Sequence, residues 1–121
     1  MIEVTTACEF FSDPRRRKSP ELDFGVIWTL GTPWPRWRVS WIDDTGELYA
    51  IPMTSPPDPD VRPVLILGVF RTRHEVERRM RGWSDKLRRD LSEYFPELRD
   101  PKTYLRVKRR VELALQYVGA V

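Results

Sequence analysis

One cysteine, one histidine and one glutamine stand in 121 residues, and asparagine is absent. A single thiol permits no internal disulfide, which suits a reducing cytoplasm. Cys8 and His74 are far apart in the chain, so no Cys/His metal-ligand spacing exists. Asp58 and Asp60 among prolines do not complete a calcium shell of about six to eight oxygens. The six glycines are scattered and form no phosphate-cradling loop. No Gly-x-Ser-x-Gly elbow is present. No apolar run approaches the ~18 residues of a membrane span. The opening MIEVTTACEF carries an early Glu and no basic segment, unlike a secretory signal. These absences predict no enzyme, no metal, no cofactor, no small-molecule substrate and no membrane span, in a cytoplasmic setting.

What is present is aromatic, proline-rich and charged. The chain holds five Trp, five Phe, four Tyr and 11 Pro, with 40% apolar and 32% charged residues. That aromatic content separates it from disordered chains. The length is that of one domain spanning residues 1–121, strand-rich over residues 1–70 and helical over residues 71–121. Net charge is only +3, but residues 1–60 carry −4 and residues 61–121 carry +7. A basic half suggests an anionic partner.

Alternation of apolar residues predicts strands over 2–11, 24–30, 36–42 and 47–53. The first would place Cys8 among Ile2, Val4 and Phe10 as a buried thiol. The second would bury Phe24, Val26, Trp28 and Leu30 together. Asp43-Asp44-Thr45-Gly46 reads as a hairpin turn with Gly46 in the left-handed position. The run 63–70 reads as a strand buried on both faces. Residues 12–20 and 55–60 read as loops. Thr72 and Glu75 fit a capping box. Val76, Met80, Trp83, Leu87, Leu91 and Tyr94 recur at helical spacing, with Gly82 and Ser84 leaving a break into two helices open. Asp100 and Pro101 start a last helix, whose apolar stripe runs through Tyr104, Val107, Val111, Ala114, Leu115 and Val118. The expected fold is α+β: an antiparallel sheet of about five strands, an open meander or partial barrel, followed by two or three C-terminal amphipathic helices.

Three basic groups carry the leading functional expectation. Arg15, Arg16, Arg17 and Lys18 lie in a loop able to follow a phosphate backbone. Arg36 and Arg38 share one strand face near Trp34 and Trp37. Lys102, Arg106, Arg109 and Arg110 fall along one side of the last helix, opposite its apolar stripe. Cations with nearby aromatics are what a nucleic-acid groove requires. The expectation is a non-enzymatic binding module engaging nucleic acid or a nucleoprotein complex, and it requires these groups to converge on one surface. The alternative is a protein-interaction module or homodimer using Trp34 and a sheet edge. Asp44-Thr45-Gly46 also matches the triplet of aspartic proteases. However, Glu47 follows where a small residue is usual, and Ile66-Leu67-Gly68 comes too soon to leave room for a flap. A hydrolase would need Asp43 or Asp44 in a concave pocket.

Thr32-Pro33-Trp34-Pro35 resembles the Pro-Trp-Trp-Pro signature of PWWP domains, small five-stranded barrels that bind methyl-lysine peptides and DNA. It lacks one Trp, follows the preceding strand Trp closely and covers about 15 residues, so it is read as coincidence. A longer stretch resembles short uncharacterised proteins of high-GC bacteria and their mobile elements. It comprises Trp37-Arg38-Val39-Ser40-Trp41, Thr45-Gly46-Glu47-Leu48-Tyr49-Ala50, Leu67-Gly68-Val69-Phe70 with Thr72, and Gly82-Trp83. That resemblance implies a bacterial cytosolic setting and no defined activity, with Thr72 as a helix cap and Trp83 docking its helix onto the sheet.

Overall fold

The computed structural model describes residues 2–28, 36–53, 62–83 and 90–117, with the backbone alone for Lys18 and residues 114–117. Trp34, Asp58, Asp60, Ser84, Leu87 and Val118 lie outside the described residues, as do Leu30 and residues 32–35.

Five strands form one open antiparallel sheet: β1 (Glu3–Thr6), β2 (Glu21–Trp28), β3 (Arg36–Ile42), β4 (Glu47–Pro52) and β5 (Pro63–Val69). Their order is β1-β5-β4-β3-β2. Strands β2 to β5 are a meander, and β1 adds beyond β5, so β1 and β2 are the edges. The β3–β4 turn follows the expected chemistry. Gly46 has φ +74°, and its N–H donates to the Ile42 carbonyl at 2.8 Å. Trp41 then locks the turn by donating its indole N–H to the carbonyls of Gly46 and Phe70, each at 3.0 Å.

Helices begin earlier than the composition suggests. The strand expected over 2–11 stops at Thr6, and α1 (Ala7–Phe10) follows. The Thr6 hydroxyl accepts the Glu9 N–H, an N-cap that ends the extended run. Cys8 is therefore exposed on a helical turn and is not a core thiol. The expected loop 12–20 contains α2 (Pro14–Lys18), capped by Asp13 with Pro14 at the first helical position. In β2 a bulge between Asp23 and Gly25 breaks the period of two. The buried pair is Phe24 and Ile27, while Val26 is turned out to solvent.

The capping box at Thr72 starts α3 (Arg73–Arg79). Thr72 accepts from the Glu75 N–H, and the Glu75 carboxylate reaches back to the Arg71 N–H. The apolar spacing over 76–94 is not one helix. α3 stops, Gly82 takes φ +78°, and a separate α4 (Leu91–Tyr94) is capped by Asp90. A 3-10 turn (Pro96–Arg99) leads into α5 (Pro101–Tyr117), where Asp100 accepts the Thr103 N–H.

The sheet has two covered faces. On the inner face Val76, Met80, Leu91, Phe95, Leu98, Val107 and Val111 pack against Trp37, Val39, Trp41, Leu48, Ala50 and Leu65. Fully burying each large side chain stabilises by about 1.5–3 kcal/mol. On the outer face Ala7 and Phe10 of α1 pack on Ile42, Tyr49 and Val64, with Phe11 beside them. Both faces of β5 are thus buried over much of its length, as its unbroken apolar run requires. No described helix is long and apolar enough to cross a membrane.

Candidate nucleic-acid interface

Of the ten basic residues singled out in the sequence, the nine whose side chains are described are not brought onto one surface. On α2, Arg15 donates to the half-buried cap Asp13 at 2.8 Å, and this bond holds the Asp13 carboxyl below its usual range. Arg16 grips Glu47 with two N–H groups, at 2.7 and 3.0 Å. Its third donor meets the Phe10 carbonyl at 3.0 Å, and its guanidinium lies 4.4 Å over the Phe10 ring. Arg16 therefore fastens α2 to the sheet and is not a free phosphate ligand. Arg17 is exposed.

Arg36 and Arg38 project from the outer face of β3, across from Trp28 and Val26 of β2. The Arg36 guanidinium stacks 4.6 Å over Trp28, and Arg38 pairs with Asp23 at 2.9 Å. At the far end of that face Tyr49 donates its hydroxyl to Glu21 at 2.7 Å. Burial pushes the Tyr49 hydroxyl well above its usual range, and the Glu21 acceptor adds to the shift.

The third group does come together. α5 packs on the inner face against β1 and β5 through Val107 and Val111. Lys102, Arg106, Arg109 and Arg110 fall on the opposite side and line one shallow trough of about 460 Å³. Leu105 and Leu113 lie between them and are 48% and 60% exposed. Helical spacing alone explains the grouping, because positions three and four apart share a face. Arg106 is anchored, donating to the Ile2 carbonyl. No acid among the described residues lies within ion-pair distance of Lys102, Arg109 or Arg110. Elsewhere on the helical half, Arg73 pairs with Glu77, and Arg79 with Glu97.

Leu105 and Leu113 are members of this face that sequence reasoning missed. Their spacing with the cations was readable, but an aliphatic on a helix is ordinarily assigned to the core. The Arg16–Glu47 pair was missed as well, because it joins residues 31 apart. Asp43 and Asp44 are both exposed at the hairpin tip. Their amides donate to the Pro20 carbonyl and the Ser19 hydroxyl, which ties the turn to the end of α2. Among the described residues no group of three His, Cys, Asp or Glu side chains is placed to share a metal ion.

No protein-family model matches the chain, and no match is found among curated proteins or solved structures.

Proposed function

We propose that the protein is a non-enzymatic, cytoplasmic binding module that engages nucleic acid through the solvent face of α5. The three basic groups do not converge as that reading first required, so it is narrowed to α5, and one observation carries it: Lys102, Arg109 and Arg110 share a helix face and hold no carboxylate among the described residues. A cation already paired with an acid must give up that partner to bind phosphate. An unpaired one exchanges only water and diffuse counterions. Arg15, Arg16 and Arg38 each hold an acid, so they contribute less. Arg106, fastened to the Ile2 carbonyl, helps fix α5 in place.

The test is fluorescence anisotropy of labelled duplex DNA, single-stranded DNA and RNA, titrated across a salt series. Three phosphate contacts give a slope of log K against log salt of about −2.7 on duplex DNA. Reversing Lys102, Arg109 and Arg110 together to Glu should abolish binding. Arg15→Glu should leave it nearly unchanged. Absence of binding at low salt, or equal loss with Arg15→Glu, would reject the reading.

A further inference from the structure

The two edges of the sheet are not equivalent. The β2 edge is closed at one end by a bridge between Trp28 and Asp90. Near its middle Trp83 stands edge-on to Phe24, with ring centres 5.5 Å apart, and comes close to Gly25. Among the described residues no strand covers the β1 edge, and the register fixes which of its backbone groups face outward. β1 pairs with β5 in the register Glu3↔Ile66, Val4↔Leu65, Thr5↔Val64 and Thr6↔Pro63. The Ala7 N–H donates to the Arg62 carbonyl at 2.8 Å, continuing that register. Hydrogen-bonded and non-hydrogen-bonded pairs alternate along an antiparallel ladder. Thr5 and Glu3 therefore turn their backbone groups toward β5, whereas Thr6, in a non-hydrogen-bonded pair with Pro63, turns its own outward where α1 begins. Ile2 and Val4 turn theirs outward. Arg106 takes the outward Ile2 carbonyl. The N–H and C=O of Val4 have no backbone partner among the described residues.

Beside Val4 the edge forms one wall of a groove of about 260 Å³, lined by Glu3, Val4, Arg106 and Arg110. The two arginines come from α5 on the inner face, and Glu3 stands on the outer face. A strand laid along β1 would alternate its side chains between these two environments.

The geometry points to β1 as a strand-addition site for an extended acidic peptide. The peptide's backbone pairs with Val4. Its carboxylates occupy every second position, on the α5 side, where Arg110 meets them. The positions between stand beside Glu3 and are not acidic. A second copy of the chain does not suit this groove. Two β1 strands paired about a twofold axis perpendicular to the sheet would set both α5 helices on the same face, cation against cation. This site goes beyond the nucleic-acid reading, because it depends on backbone groups of β1 that phosphate contacts on α5 do not use.

The experiment uses a fluorescein-labelled heptapeptide of alternating Glu and Val, followed by anisotropy with the intact protein. Micromolar binding is expected, weakened at least about tenfold by Arg110→Glu, by Lys in place of Glu in the peptide, and by N-methylation of the peptide amides that face β1. Val4→Pro, which removes the outward N–H, should weaken the peptide equally and leave duplex binding intact. In the unaltered protein the Val4 amide should exchange with solvent more slowly once peptide is added. Unchanged Val4 exchange, equal binding of the N-methylated peptide, or no binding at low salt would each overturn the proposal. If the unaltered protein binds the peptide but no duplex at low salt, the nucleic-acid reading fails and this one stands.

Discussion

Arg16 anchors α2 to the sheet. Its side chain is 24% exposed and that of Glu47 12%. A guanidinium this enclosed keeps two carboxylate bonds, one carbonyl bond and a ring contact. Arg16→Ala leaves Glu47 largely desolvated without a donor, so it should destabilise by about 2 kcal/mol. Arg15, more than two-thirds exposed, holds Asp13 across a solvated surface. Arg15→Ala should leave stability nearly unchanged. Urea denaturation of both variants checks the contrast. Similar losses would mean that Arg16 does not anchor α2. The sequence could not separate these neighbours, because what distinguishes them is a carboxylate on β4.

The elements show where local chemistry sufficed. The β3–β4 hairpin and the caps at Thr72 and Asp100 were legible because each signal lies within four residues. The same kind of signal was present at Thr6 with Glu9 and at Asp13 with Pro14, but the apolar alternation and the run of cations outweighed it. The β2 bulge left no comparable mark, since Gly25 alone does not say which neighbour is inserted. On α5 the face was legible from spacing, and the freedom of its cations was not, because that depends on where every acid ends up. Gly46 offers a test at this scale. Its φ is +74°, and a Cβ there would stand 2.6 Å from the Phe70 carbonyl oxygen. That carbonyl also accepts the Trp41 indole, so it cannot retreat freely. Gly46→Ala should therefore destabilise by about 2 kcal/mol, beyond the ordinary left-handed penalty. A thermal midpoint unchanged within error would show that the turn relaxes.

Taken whole, the described sheet is a meander extended at one edge by the strand farthest from it in sequence. β2 to β5 pair with their neighbours in the chain, whereas Glu3 must find Ile66. Closing a loop of about sixty residues costs more entropy than closing a hairpin, and such contacts form late. Pulse-labelled hydrogen exchange during refolding should protect amides of β3 and β4 before those of Glu3 and Thr5. Simultaneous protection would show that β1 belongs to the nucleus. Synthesis imposes the same order from outside. At roughly 5–20 residues per second, the ribosome takes on the order of 3–12 seconds to deliver β5 after β1. Throughout that interval the Ile2 and Val4 side chains have no core to enter, and the backbone groups of Glu3 and Thr5 have no strand to pair with. Until β5 follows, this edge of the nascent sheet stays unpaired, and a chaperone can grip it there.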